Sequence, residues 1–545
     1  MSLITRLVAS RLGLPPAARR PVGVERDLVA PMPDGVRLLA DRYFPRDDGR
    51  APLILMRSPY DRRGVWDYFA PVLAERGYQV LIQSTRGTVG SGGDFDPRYE
   101  ADDGPATIEW IRRQPWFGGR MATWGASYLG YVQWALAGAD VPEWKAAVIQ
   151  DGPSEMYHAF FYHGGTFGLG NALRWLVSVY PLDRRRSPLR RIAGQVGALR
   201  GLRRGIAHLP LCDADRMSLG CTVGFFQRWL AHEELDEYWA AMDQRGRMSL
   251  LAAPVDLVAG WYDFFLPNTL ANYAALREAG RRVRLLIGPW THGAGGFSRE
   301  AFGESFAWLE AHLKDEPIGL REAPVRLFVT GADRWVELDD WPPPVRAPSR
   351  WYLQPDGGLA ANLPPDSPPD RYRYDPAHPT PNVGGPILAA RAGGPRDNRR
   401  LEGRADVLTY TGRELDRDLE IVGPVSVELW VRSSLGHTDF FTRLCDVHPN
   451  GRSVNVCDGI IRLRPGRPAA DADGLRRLLL ELWPAAHQFR RGHRIRLQVS
   501  GGVHPRFARN LGTGEPLATS TTMRAADQEV FHDPKHPSAV LLPIR

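Results

Sequence analysis

The stretch Met121-Ala122-Thr123-Trp124-Gly125-Ala126-Ser127-Tyr128-Leu129-Gly130 leads from a short apolar run through a tight turn into a helix. That helix passes through Tyr131, Val132, Trp134, Ala135 and Leu136 and ends near Gly138. A serine at a strand-to-helix turn, flanked by small residues, can be pushed into a strained conformation that lifts its hydroxyl clear of the backbone. The helix that follows points its N-terminus at any oxyanion formed there. The usual spacing for this device is G-x-S-x-G. Here the glycines are Gly125 and Gly130, two before and three after Ser127, with Leu129 at the expected glycine position. Taken alone, a turn-forming serine before a helix is more often a helix cap than a nucleophile.

Upstream, Pro33-Asp34-Gly35 reads as a hairpin turn followed by a strand through Val36, Leu38 and Ala40. Leu53-Ile54-Leu55-Met56, Gln79-Val80-Leu81-Ile82 and, downstream, Ala146-Ala147-Val148-Ile149 are continuous apolar runs expected of strands covered on both faces. Helices are predicted between them, through Tyr68, Phe69, Val72 and Leu73 and through Ala106, Ile108, Trp110 and Ile111. The glycine-rich segment Ser84–Gly93 lacks the Gly-Lys-Ser/Thr ending of a phosphate loop and reads as structural. This alternation predicts a doubly wound, mostly parallel sheet.

From Asp151 to Arg245 the β-branched runs give way to helical patterns rich in Trp, Tyr, Leu and Arg. The βα rhythm resumes at Val255–Trp261 and Val283–Gly288, and the helix around Phe306–Leu309 is expected to close the domain before Pro342-Pro343-Pro344. Beyond Trp351, proline and glycine become dense. Short alternating strands follow, such as Val425/Val427/Leu429/Val431 and Ile495/Leu497/Val499. The expected division is an α/β domain from 1–150 and 246–345, a helical insertion over 151–245, and an all-β sandwich of jelly-roll type over 346–545.

The 545 residues, 43% hydrophobic and 24% charged, suit a multidomain globular protein. No apolar run reaches membrane-spanning length, and the arginine-rich start is broken by Pro15-Pro16, so a cytoplasmic protein with a modestly ordered N-terminal arm is expected. Four cysteines (Cys212, Cys221, Cys445, Cys457) without C-x-x-C spacing suggest buried free thiols rather than disulfides or zinc. The net charge of +7 is carried by arginine, Lys145, Lys314 and Lys535 being the only lysines. Arginines crowd the segment Arg184–Arg204, where an acidic partner and a solvated helical face are both open.

A serine hydroxyl becomes a nucleophile when a histidine takes its proton and an acid fixes that histidine's tautomer. In a doubly wound sheet such groups sit at carboxyl ends of strands, in the chain order serine, acid, histidine. Of the 14 histidines, only His292 follows a late strand in this way. Asp263 leaves the strand ending at Gly260-Trp261, 29 residues earlier, and is the preferred acid; Asp151, after the strand ending at Gln150, is the rival. An oxyanion hole needs two donors. The backbone N–H of Tyr128 is one candidate. The phenol of Tyr60, in the loop after Leu53–Met56, is the other.

With these residues assembled, the chain resembles the cocaine esterase-like serine hydrolases, related to X-prolyl dipeptidyl-peptidases and α-amino-acid ester hydrolases. The resemblance is carried by Ser58-Pro59-Tyr60-Asp61, Gln83-Ser84-Thr85-Arg86-Gly87, Gly125-Ala126-Ser127-Tyr128-Leu129-Gly130, Gly260-Trp261-Tyr262-Asp263 and Gly288-Pro289-Trp290-Thr291-His292. In the β region Asp439-Phe440, Cys457-Asp458-Gly459-Ile460 and Gly492-His493-Arg494-Ile495 add to it. It implies an α/β-hydrolase domain with an inserted helical cap and a C-terminal jelly roll. It further implies Ser127 as nucleophile, His292 as base, Asp263 as orienting acid, and Tyr60 with Tyr128 as oxyanion donors. The chain departs from the family pattern at Phe161, where the cocaine-degrading relative has tryptophan, and at Leu129, where the α-amino-acid ester hydrolases have glutamate. Phe161 and Phe265 are expected to wall the substrate pocket.

The expected activity is hydrolysis of small-molecule esters or amides through an acyl-enzyme, with no cofactor, metal, nucleic-acid or membrane partner, and with oligomeric state open. A dipeptidyl-peptidase using the same residues is the alternative. It would need carboxylates for the substrate ammonium, and the cap offers Glu155, Asp213, Asp215, Glu233, Glu234, Asp236 and Glu237. A non-catalytic binder is the third reading.

Overall fold

In the computed structural model, which describes residues 3–17, 21–180, 197, 200–344, 347–389 and 391–545, the apolar runs become strands of one central sheet. In chain order its first six are β1 (Val22–Pro31), β2 (Arg37–Pro45), β3 (Leu53–Ser58), β4 (Gln79–Ser84), β5 (Met121–Ala126) and β6 (Trp144–Gln150). A two-residue pair, β7 (Tyr162–His163) and β8 (Thr166–Phe167), lies in the inserted segment. The central sheet then continues with β9 (Val255–Tyr262), β10 (Val283–Thr291), β11 (Val325–Val329) and β12 (Arg334–Leu338).

The sheet order is β1-β2-β4-β3-β5-β6-β9-β10-β11-β12. Strands β4 to β11 along that order are parallel. The β1–β2 hairpin and β12 provide antiparallel edges. Alternation along β3 explains why the run is apolar throughout: Leu53 and Leu55 face one core cluster, Ile54 and Met56 the other. Helices α1 (Leu3–Arg11), α2 (Trp66–Ala74), α3 (Glu100–Arg112) and α4 (Tyr128–Trp134), with Leu266–Glu278 and Arg299–Leu313, lie along the chain before and between these strands.

Four expectations need correction. The helix around Phe306–Leu309 does not close the sheet, because β11 and β12 follow it. Their alternating pattern is only five residues long and half-buried, which weakens its signal. The N-terminal arm is a helix held on α2, with Thr5 Oγ1 donating to Glu75 and Arg76 donating to the Pro15 carbonyl. The inserted segment contains the β7–β8 pair as well as helices. Of the four free cysteines, only Cys445 and Cys457 are fully buried. In the basic segment, Arg184, Arg185, Arg186, Arg190 and Arg191 lie outside the described residues, while Arg200, Arg203 and Arg204 are exposed.

The C-terminal part is β-rich, with twelve strands between Ser349 and Leu542 in one hydrogen-bonded network. Val427, Leu429 and Val431 are fully buried on one face of strand Ser426–Ser433, as are Ile495, Leu497 and Val499 of Arg494–Ser500. Among the described residues no helix is long and apolar enough to cross a membrane.

Candidate active site

Ser127 sits between β5 and α4 with φ 61° and ψ −124°, a conformation that a non-glycine residue adopts only when its surroundings impose it. What imposes it here is the packing of α4 across the sheet. A Cβ on Gly130 would stand 2.6 Å from the Gly152 Cα, so the first turn of α4 can rest on the chain after β6 only if position 130 is glycine. A Cβ on Gly125 would stand 2.2 Å from the Leu129 Cβ. Leu129 therefore fills the space beside Gly125, and the glycine that admits the helix is displaced by one position. Gly130→Ala is expected to destabilise the fold by about 1–3 kcal/mol, the range for overpacking a close contact, read as a lower denaturant midpoint. An unchanged midpoint would remove this explanation of the spacing.

Ser127, His292 and Asp263 converge. His292 Nε2 lies 3.0 Å from Ser127 Oγ, and His292 Nδ1 lies 2.6 Å from Asp263 Oδ2. Asp263 is completely buried, and its other oxygen accepts from the Phe265 N–H at 2.6 Å. The main-chain carbonyl of Asp263 accepts from Trp483 Nε1 at 3.0 Å, so the β-rich part buttresses the acid loop. A proton on Nδ1, shared with the carboxylate, leaves Nε2 free to accept the serine proton. Strand β10 extends to Thr291, so His292 follows directly from the strand end.

Asp151, the rival acid, is also present. It is 1% exposed, has φ +46°, and accepts from the Gly293 N–H at 3.2 Å. Asp151, Asp263 and His292 each offer an atom within 4.8 Å of the others. Burial, and then the neighbouring Asp263 charge, push the Asp151 carboxyl well above the ordinary carboxylate range. The structure thus places two carboxyls beside one imidazole, of which Asp263 holds the direct hydrogen bond.

Tyr60, after β3, turns its phenol towards Ser127. Its oxygen accepts from Trp175 Nε1 at 3.1 Å, which leaves the O–H available as a donor. Desolvation raises the phenol above its ordinary value, with the Trp175 and Ser127 hydrogen bonds pulling the other way. Tyr128 is the first residue of α4, where a backbone N–H has no partner within the helix. Its side chain points elsewhere, donating to Glu100 Oε1 at 2.8 Å, while Glu100 pairs with Arg57 at 2.9 Å. This buried trio anchors the start of α4. Burial raises the Glu100 carboxyl, against the pull of Arg57.

These groups open onto a cavity of about 240 Å³ with mostly aromatic walls. Phe161 and Phe265 both line it. Phe161 packs with tilted rings on Trp229, which also lines the cavity, with centroids 4.2 Å apart, whereas Phe160 packs against Phe264 and Phe265, both at 5.6 Å. Phe160 and Phe161 belong to a single π turn, Tyr157–Phe161, an irregularity concentrated at functional sites. Trp175, on the helix Leu169–Val179 (α5), and Leu388, from the β-rich part, complete the wall. Sequence reasoning missed Phe160, Trp175, Trp229 and Leu388. An aromatic helix pattern reads the same whether it faces core or cavity, and Leu388 carries no local signal at all.

Among the described residues lining the cavity there is no carboxylate. The cap acids are engaged elsewhere. Glu155 accepts from the His158 and Ala159 N–H groups, Asp215 from Val223 N–H and Gln227, and Glu233 from Leu517 N–H. Glu234 pairs with Arg464, Asp236 with His232, and Asp213 lies beside His208 and Arg216. Glu237 lies in the first turn of the short helix Glu237–Ala240.

Comparison with known proteins follows the same outline. Residues 34–294 match the X-Pro dipeptidyl-peptidase (S15 family) model, and residues 319–541 match the X-Pro dipeptidyl-peptidase C-terminal non-catalytic domain. The chain is 32% identical to the cocaine esterase of Rhodococcus sp. (strain MB1 Bresler) over 96% of its own length and 98% of the relative's. Among solved structures, an α-amino acid ester hydrolase superposes with a TM-score of 0.82 at 23% identity, covering 98% of each chain. A CocE/NonD family hydrolase from Staphylococcus aureus gives 0.71 at 18% identity, covering 96% of this chain and 94% of that one. These two structures share the fold.

Proposed function

The chain belongs to the cocaine esterase-like family of ester and amide hydrolases built on the X-Pro dipeptidyl-peptidase (S15) domain, and we propose that it is a serine esterase of small, apolar acyl substrates. In this reading Ser127 attacks the substrate carbonyl while His292 takes its proton and Asp263 holds the imidazole in the productive tautomer. The tetrahedral oxyanion is stabilised by the Tyr60 O–H and the Tyr128 N–H. The acyl-enzyme then breaks down when water, deprotonated by His292, attacks the same carbonyl.

The observation that carries this reading is the continuous hydrogen-bond chain from Ser127 Oγ through both nitrogens of His292 to Asp263, at 3.0 and 2.6 Å. Preference for an ester over an aminoacyl-prolyl peptide rests on the cavity wall, which is aromatic and carries no carboxylate among its described residues. An α-ammonium group would be desolvated there without a counter-charge, which disfavours it strongly.

The discriminating experiment compares kcat/KM on a p-nitrophenyl acyl ester with that on an aminoacyl-prolyl p-nitroanilide, together with labelling by a fluorophosphonate. Ester turnover and labelling at Ser127 are expected. Faster turnover of the prolyl anilide would transfer the assignment to dipeptidyl-peptidase. Tyr60→Phe is expected to lower kcat by about 10²–10³-fold with little change in KM, the signature of a donor used in the transition state. A loss confined to KM would mean that the phenol merely shapes the pocket.

A further inference from the structure

In the β-rich part, remote from any role described so far, His448, His487 and His493 turn ring nitrogens towards a single carboxylate, Asp446. That carboxylate is 5% exposed. His493 Nδ1 stands 2.8 and 3.0 Å from the two Asp446 oxygens. His487 Nε2 stands 3.3 Å from Oδ2, and His448 Nε2 lies 3.9 Å from the same atom. Asp446, His448 and His493 each present an atom within 4.8 Å of the others. The four residues come from separate places: Asp446 from strand Thr438–Val447, His448 from the turn after it, His487 from strand Ala485–Phe489, and His493 from the turn before Arg494–Ser500.

Neutral hydrogen bonding does not satisfy this arrangement. Thr330 Oγ1 donates to the Ala486 carbonyl at 2.9 Å, so towards His487 it acts as an acceptor, and His487 Nδ1, 2.8 Å away, carries the ring proton. The lone pair of Nε2 in the neutral ring then faces a carboxylate oxygen, acceptor against acceptor. A positive charge removes the conflict, either as a proton on Nε2 or as a cation held at the carboxylate. Two imidazoles with one carboxylate are a donor set that borderline divalent metals take. Ligands at about 2.0–2.1 Å from a tetrahedral zinc ion stand about 3.3 Å from one another, and the distances here bracket that spacing. His487, oriented by Thr330, is the outer partner that fixes the ligating carboxylate. His448, at 34% exposure, leaves a path from solvent.

We propose that Asp446, His448 and His493 bind one divalent transition-metal ion of the zinc class, beside His487, which contacts Asp446 from the strand paired with the edge of the α/β sheet. That pairing follows from the position of Thr330, directly after β11. Its N–H donates to the Ala486 carbonyl at 3.0 Å, and its own carbonyl accepts from the Gln488 N–H at 2.8 Å, so the strand bearing His487 already pairs with the sheet edge. An ion on Asp446 would join the two turns carrying His448 and His493 to the carboxylate that His487 of that strand already contacts.

The test is titration of chelator-stripped full-length protein with Zn²⁺ by calorimetry and with Co²⁺ by visible absorption, alongside thermal melts. One ion should bind per chain, and Tm should rise with free Zn²⁺. His448→Ala, on an accessible turn, and His493→Gln should each weaken binding by more than about tenfold and abolish the rise in Tm, whereas His292→Ala should leave binding intact. Absence of saturable one-to-one binding would overturn the proposal and leave an imidazolium–carboxylate cluster in its place. Binding that survives both substitutions, or that is lost in His292→Ala, would overturn it equally by moving the ion elsewhere.

Discussion

Ser127→Ala is expected to lower kcat on a p-nitrophenyl acyl ester by about 10⁴–10⁶-fold, the cost of deleting the nucleophile from a serine-histidine-acid unit. The substitution removes only the oxygen. The turn is held by packing and by backbone contacts, with Ser127 N–H donating to the Gln150 carbonyl at 2.9 Å and Gly130 N–H to the Ser127 carbonyl at 2.8 Å. Thermal stability should therefore stay close to that of the unsubstituted chain, or rise slightly where the strained turn relaxes. Residual activity should come from the oxyanion donors and binding alone. If Ser127→Ala retains most of its turnover and still reacts with a fluorophosphonate, the proposed mechanism is dead.

The second large effect concerns the two acids. Asp263→Asn is expected to cost about 10⁴-fold in kcat, because the amide favours the wrong imidazole tautomer and offers no charge to the imidazolium. Asp151→Asn is expected to stay within about tenfold of the unsubstituted enzyme. Burial and the Asp263 charge push its carboxyl well above the ordinary carboxylate range, and an amide oxygen can still accept from the Gly293 N–H. The pair is coupled in sign. Removing the Asp263 charge removes one of the causes that raise Asp151, so in Asp263→Asn the Asp151 carboxyl ionises at lower pH. The residual activity of that variant should then rise with pH as Asp151 ionises, and the double variant Asp151→Asn/Asp263→Asn should lose that rise. A larger loss from Asp151→Asn than from Asp263→Asn would reverse the assignment.

Much of the framework was legible because its signals are local. Buried parallel strands advertise themselves as apolar runs, and Leu53–Met56, Gln79–Ile82 and Val255–Trp261 all became strands of the sheet. Strands β11 and β12 escaped because a short, half-exposed edge strand has little hydrophobic periodicity to display. Ser127, Asp263 and His292 were found by asking which residues leave strand ends in the right chain order. That question is answerable because β5, β9 and β10 deliver them to the same end of the parallel sheet.

What the sequence by itself determined about this protein is therefore its class, its order of elements and a short set of residues with the right chemistry. It preferred Asp263 to Asp151 on chain spacing alone, without the distance of either from His292. The choice depends on which oxygen reaches His292 Nδ1, and that is settled by the twist and register of strands joined across more than a hundred residues. Only the tertiary structure showed that Leu129 and Gly130 exchange places with the usual pattern to let α4 rest on Gly152. It alone placed the cap carboxylates away from the cavity and brought Leu388 into its wall. The physical reason is the same in each case. Side-chain period and turn chemistry are written within about ten residues of chain, whereas convergence on a point depends on sheet order and on packing at contact distance, which have no local signature.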